Sequence, residues 1–492
     1  MILSALLSIL SSPALPAPPV APAQEPLTLT AERVHLGDGR VLEGATVTLE
    51  GGKVVAVTPA PDAAATVPGA VLTPGLVDPY CFLGVGAATV EESREVTPAA
   101  RVVDGARLDD PALANAWEWG VTTAYLSPDS LSVIGGLGAV VKTAGGEPAD
   151  LFAADGAAMR VLEPEAGLRV AISVDSFFDN FTPSGRFTNS YHARRPNTRM
   201  GSVWLVREAF YAAQAYREAR AADPEVAEDP ELEVLVAALE GRVPVRFLAR
   251  RAHDVQTALR LKDEFGWPRL VIEEAAESYL VPELLAETDG VAVVCGPLAD
   301  ARARVLATGP RREAMAEALD PPEICCEDQE VHDPYLAHAE VGDLSGTLHD
   351  PPAFLADVLL ATLPRYGFAS GFAAGRVREA ERSTPASPGL LAAHGVPVFL
   401  AAGEGYGAAD TEAGLMAQAR TAVRWGLPLE RAVPMVTHDA AELLGVGDRV
   451  GLLAPGYDAD LVLWSGDPLD PASRPLLVVV DGRVVLDRRS QD

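Results

Sequence analysis

Cysteine and positive charge are both scarce in this chain of 492 residues. The four cysteines, Cys81, Cys295, Cys325 and Cys326, contain no C-x-x-C pair. Adjacent cysteines such as Cys325 and Cys326 rarely meet disulfide geometry, so a disulfide scaffold and a zinc ribbon are both poor readings. Lys and Arg total 39 against 69 Asp and Glu, a formal charge of −30. A surface this acidic repels phosphate backbones and anionic lipid headgroups, which argues against nucleic-acid binding and membrane docking. The bland meaning of the charge is solubility. Beyond the N-terminus no run is apolar for long enough to span a bilayer, so no stable membrane insertion is expected. No internal repeat or extended low-complexity tract occurs. No G-x-S-x-G elbow surrounds Asp129-Ser130 or Asp175-Ser176. Gly135-Gly136 and Lys142 do not fall in the frame of a phosphate loop.

What is present is the composition of a folded protein, 48% apolar and 22% charged. The length exceeds what one core usually supports, so a large domain with a smaller companion is expected. Residues 1–23 read as a signal peptide. Ile2 to Leu10 is a short apolar run, and Ala21-Pro22-Ala23 is a small-x-small cleavage pattern, although no Lys or Arg precedes the run. A periplasmic or secreted location is the expectation.

Residues 27–57 alternate as strands, with hairpin signals at Asp38-Gly39 and Gly51-Gly52. Residues 450–486 return to short strands with a turn at Asp481-Gly482. Between them apolar runs alternate with helical stretches. Strands are expected at 121–126, 139–143, 243–249, 269–273, 291–296 and 396–402. Helices are expected at 203–222, 253–266, 280–288, 410–425 and 437–444. The acidic stretch 221–232 reads as an exposed helix end or loop. Alternation of this kind predicts an α/β fold of βα units, a (β/α)₈ TIM-like barrel over 73–446. Residues 24–72 and 447–492 then form a composite β-sandwich, and 297–390 carries extra sequence.

Several motifs resemble the amidohydrolase superfamily, in its imidazolonepropionase-like branch. They are Gly52-Lys53-Val54-Val55-Ala56-Val57 followed by Leu72-Thr73-Pro74-Gly75-Leu76-Val77-Asp78, Gly120-Val121-Thr122-Thr123, the run Ile134 to Thr143, Asn197-Thr198-Arg199-Met200-Gly201, Thr437 to Gly445, and Gly451 to Leu463. The resemblance covers most of residues 30–490 and weakens between 297 and 390. It implies hydrolysis of amide or related bonds by a metal-bound water, with zinc or another divalent ion held by His and carboxylate ligands at the C-terminal ends of the barrel strands.

The positions at which the resemblance places those ligands carry other residues. The family's D-x-H-x-H appears as Asp78-Pro79-Tyr80-Cys81-Phe82. The first middle His falls on Leu248 or, two residues on, Arg250; the second falls on Glu274. Gly403 stands at the final Asp, with Glu404 one residue later as a displaced carboxylate. Lys142 resembles a position that some members carboxylate. Five changes together remove a ligand set, and a guanidinium in the pocket opposes a cation. No cofactor is therefore expected. The bland reading makes Tyr80 and Phe82 pocket-filling aromatics, pairs Glu274 with Arg250, and pairs Lys142 with a carboxylate, Glu274 being one choice. Cys81 lacks a predictable His base and reads as a packed thiol.

The expectation is an amidohydrolase-like pseudoenzyme that binds a small ligand or serves as non-catalytic partner to an active paralogue. The alternative is a metal-dependent hydrolase of C–N bonds with a relocated site. Its ligands would come from Lys142, Glu274, Glu404 or the cluster Glu327, Asp328, Glu330, His332, Asp333, His338 and His349. The two His six apart fit no helical ligand spacing.

Overall fold

The computed structural model describes residues 26–490 apart from 86–88, 90, 92, 109, 146–159, 178–194, 299–381 and 404–413. The expected leader, the acidic and His-bearing cluster 327–349, Glu404 and nearly all of the expected insertion lie outside the described residues.

The two chain ends meet in one sheet of seven strands. Its order is β15-β14-β13-β4-β1-β2-β3. Strands β1 (Leu27–His35), β2 (Val41–Glu50) and β3 (Lys53–Pro59) form an antiparallel meander. Strand β4 (Val71–Pro74) runs parallel to β1 and antiparallel to β13 (Leu461–Trp464), which continues into β14 (Pro475–Val480) and β15 (Arg483–Asp487). The pairing of N- and C-terminal segments is thus as expected. Their hydrogen bonding makes one continuous sheet instead of the two of a sandwich, because β4 bridges β1 to β13. A dry cluster of Leu29, Val34, Val47, Leu72, Leu461 and Leu477 forms its core.

The second sheet has eight strands in the order β12-β11-β10-β9-β8-β7-β6-β5. They are β5 (Leu76–Cys81), β6 (Val121–Leu126), β7 (Ile134–Lys142), β8 (Val161–Ala171), β9 (Val245–Leu248), β10 (Leu270–Glu273), β11 (Val291–Cys295) and β12 (Val398–Leu400). A parallel bridge between Cys81 and Gly403 draws the two edges together, and Ala402 N donates to Asp78 Oδ2 at 3.2 Å. The sheet is nearly closed, as the expected barrel requires. It departs from an all-parallel barrel at β7, which is antiparallel to both β6 and β8. The reason is chain length: residues 127–133 connect β6 to β7, and a parallel crossover needs about a dozen residues or more.

Helices cover the outside. Helix α1 (Pro111–Glu118) precedes β6. Helix α2 (Arg199–Ala222) starts earlier than its apolar pattern suggests, because the Thr198 side chain caps it by accepting from Gly201 N. Helix α3 (Pro230–Leu239) follows the acidic loop, capped by Asp229, whose carboxylate accepts from Glu231 N and Leu232 N. Helix α4 (Ala252–Phe265) ends at Gly266, in the left-handed conformation with φ 67°. Phe210, Phe247, Phe265 and Trp267 stack between α2, α4 and β9 and form the centre of the outer core.

Candidate functional site at the barrel mouth

Strand alternation decides which side chains enter the barrel. On β9, Phe247 faces outward onto Trp267, with ring centroids 6.5 Å apart. Arg246 and Leu248 therefore face inward, and Arg250 follows two residues beyond. On β10, Ile272 belongs to the outer core, while Val271 packs inside with Tyr80, Val294 and Ala401. Glu273 shares the inward parity of Val271. On β8, Arg169 lies in register with Arg246.

These residues build two stacked polar layers. In the lower one Glu273 pairs with both Arg169 and Arg246, all three with 0% of their side chains exposed. Arg246 Nε lies 2.6 Å from Glu273 Oε1, and its Nη2 donates to Pro79 O at 2.5 Å. The guanidinium of Arg246 lies over the Tyr125 ring, 3.6 Å from its centroid. Arg169 Nη2 donates to Ser130 Oγ at 2.6 Å and to the Tyr80 hydroxyl at 3.0 Å. Burial alone would pull the Arg169 pKa down, but Tyr80, Glu273 and Glu274 outweigh it and raise it. Burial pushes the Tyr125 phenol well above its ordinary range. Room for this layer comes from two glycines. A Cβ on Gly167 would lie 2.2 Å from Arg246 Cδ, and one on Gly138 would lie 2.1 Å from the Tyr125 hydroxyl.

The upper layer lies at the C-terminal strand ends. The Tyr80 hydroxyl donates to Glu274 Oε1 at 2.5 Å. Arg250 Nε donates to Glu274 Oε2 at 2.7 Å. Arg250 also pairs with Asp175, with Nη2 3.2 Å from Oδ1. Asp175 is buried in the short turn Val174–Ser176 after β8 and also accepts from Ser173 Oγ at 2.7 Å. Glu274 has φ 50°, a left-handed backbone that non-glycine residues adopt at some strain. Tyr80 and Arg250 both bind its carboxylate. Tyr80 and Phe82 meet edge to face, with centroids 5.0 Å apart.

Six of the seven pocket positions expected from the sequence gather at this end: Tyr80, Phe82, Leu248, Arg250, Glu274 and Gly403. Leu248 is buried and pairs in the sheet with Ala171 and Glu273. Gly403, with φ 62°, makes the closing bridge to Cys81. Cys81 is buried, and its thiol donates to Tyr125 O at 3.4 Å.

Lys142 is the exception and is corrected. The antiparallel course of β7 pairs Lys142 with Thr123, near the start of β6, and so carries it to the opposite end of the barrel. There it is wholly buried among Asp458 (3.1 Å), Asp460 and Asp481 (3.0 Å), and does not meet Glu274. Burial lowers the Lys142 pKa, but the three carboxylates win and raise it. Burial pushes Asp460 up to about 6 in spite of Lys142. Among the described residues this triad is the one group of acids close enough for a metal ion, with ligand atoms within 4.8 Å of one another. The Lys142 ammonium already lies among them.

Among the described residues, the atoms at the mouth do not suit a divalent ion. A phenol bonded to a carboxylate, a phenyl ring, a leucine, a glycine and a guanidinium stand where the resemblance puts ligands. Among the described residues Glu274 and Asp175 are the carboxylates at these strand ends, and Arg250 bridges them. Sequence reasoning had passed over Arg169, Arg246, Glu273 and Asp175. Arg246 and Glu273 were visible as charges inside apolar strand runs, at inward parity. Arg169 lies on β8, which the apolar pattern did not announce.

Comparison with known proteins agrees with this architecture. A model of the Amidohydrolase family matches residues 359–485. The solved structure of an amidohydrolase from Thermotoga maritima superposes with a TM-score of 0.64 at 25% identity, covering 94% of this chain and 100% of that one. The chain is a relative of the amidohydrolases. It is 26% identical over 442 residues, 85% of its own length, to the amidohydrolase tasK of Hapsidospora irregularis. It is 29% identical over 211 residues, 42% of its length, to an imidazolonepropionase of Stenotrophomonas maltophilia. The chain spans 36% of the length of the first relative and 50% of the second. Among the described residues no helix of this amidohydrolase relative is long and apolar enough to cross a membrane.

Proposed function

We propose that this chain is a non-hydrolytic amidohydrolase homologue, which uses the inherited barrel to bind a small ligand or an active paralogue. One observation carries the reading. Arg250 lies between Glu274 and Asp175, at the strand ends where the family's chemistry needs an ion and a water. A guanidinium fixed there opposes a second cation by like charge, and both nearby carboxylates are already paired. A barrel keeps its fold when its site changes.

The second reading, metal-dependent hydrolysis of C–N bonds, is favoured by the names of the relatives, an amidohydrolase and an imidazolonepropionase. It requires ligands from segments outside the described residues. Elemental analysis of protein purified without a chelating tag separates the two, together with assays on cyclic and linear amides. Substoichiometric metal and no turnover support the binding reading. One or two equivalents of zinc, manganese or iron with metal-dependent turnover would sink it. Export through residues 1–23 is a further proposal, tested by N-terminal sequencing of the mature chain. An intact leader would contradict it.

A further inference from the structure

The disagreement between this mouth and a metal site has a chemical form. Arg250 follows β9, Asp175 follows β8 and Glu274 follows β10. One guanidinium therefore ties three successive strand ends, and Tyr80 adds β5 through its bond to Glu274. Stitching strand ends by bringing anionic side chains onto one positive centre is the structural work of a bound divalent ion. The arginine is 3% exposed and Asp175 1%. Below them the buried cations Arg169 and Arg246 close on Glu273 in the same manner. Three guanidiniums thus face three carboxylates, and the barrel interior carries its own counter-charge.

We infer that Arg250 is a built-in cation that takes over the structural role of a divalent metal at the barrel mouth. The inference rests on the metal-free reading above and goes beyond it. It states that the site between Asp175 and Glu274 demands positive charge, so that removing the arginine exposes a cation requirement the native chain lacks. Shortening Arg250 leaves the buried Asp175 and the partly exposed Glu274 facing a vacated space. Such a pair is destabilising until a cation returns.

The test is thermal unfolding of the full chain and of Arg250→Ala and Arg250→Lys, each in EDTA and in millimolar calcium, manganese or zinc. The native chain should melt at the same temperature in all of these. Arg250→Ala should melt lower by about 3–5 degrees in EDTA, and one of the cations should restore much of that loss. Arg250→Lys keeps the charge without the fork and should lie between them, insensitive to added metal. Loss of packing alone would lower the melting temperature of Arg250→Ala with no recovery in any cation, and that result overturns the inference. A native chain destabilised by EDTA overturns it as well. Should Arg250→Ala not fold, Arg250→Ala combined with Asp175→Asn and Glu274→Gln removes the demand for charge, and must fold without a cation response. Hydrolytic turnover by an EDTA-insensitive native chain would sink the proposed function while leaving the arginine's role intact.

Discussion

Glu273→Gln is the most direct probe of the lower layer. The substitution keeps shape and one acceptor but removes the negative charge between Arg169 and Arg246, all three side chains being fully buried. Removing one partner of a buried ion pair costs about 3–5 kcal/mol, because the remaining charge stays desolvated. Two guanidiniums share this carboxylate, so the upper end of that range is expected. Domain stability is on the order of 5–15 kcal/mol, so the change takes a third or more of it. Urea unfolding should show a lower midpoint at unchanged slope, the mark of lost stability without altered compactness. Replacing all three charges by apolar residues, Arg169→Met with Arg246→Met and Glu273→Leu, should restore most of the loss, since no buried charge is then left alone. A Glu273→Gln unfolding free energy within about 1 kcal/mol of the native chain would refute the argument, for it would mean that water reaches the layer and screens it.

Other substitutions test neighbouring claims. Gly167→Ala places a Cβ 2.2 Å from Arg246 Cδ, and equilibrium unfolding should register a loss of about 1–3 kcal/mol from overpacking. Tyr80→Phe removes the hydroxyl that donates to Glu274 and accepts from Arg169. It should cost about 1–3 kcal/mol in the same assay, and no loss would mean that the phenol does not join the two layers. The triad at the far end gives a pH signature. Asp460 is ordinary in the unfolded chain, at 3.8, and pushed up to about 6 when folded. The folded state then holds the proton more tightly, so its contribution is fully present below pH 3.8, declines as pH rises and is lost above about 6. Stability-versus-pH curves of native and Asp460→Asn chains should therefore converge in slope above that window and differ within it. Parallel curves throughout would contradict the raised value. Lys142→Met leaves three acids without their central cation, and should lower stability by about 3–5 kcal/mol at neutral pH, measured by urea midpoint.

Much of this fold was legible in the chain itself. Hairpin glycines, alternating strands at both ends and βα alternation between them predicted a barrel with a sheet made from both termini, and the sequence motifs pointed to the amidohydrolases. The resemblance to the amidohydrolases, whose ligands sit at the C-terminal strand ends, put Tyr80, Leu248, Arg250 and Glu274 at one end.

What sequence could not decide was anything set by the direction of a strand or by contact across the barrel. Lys142 stood in a motif similar to that of a mouth residue, yet β7 runs backwards because its connection to β6 is too short for a crossover. That reversal moves the ammonium to the far end and gives it Asp458, Asp460 and Asp481, residues more than three hundred positions away. Arg169, Arg246 and Glu273 lie on three strands far apart in sequence, and only the parallel pairing of β8, β9 and β10 makes them counter-ions. Glu274, in a left-handed backbone, reads as an ordinary acid until tertiary contacts bring Tyr80 and Arg250 to its carboxylate. Local chemistry chose which side chains enter the barrel; strand direction and closure chose which of them meet.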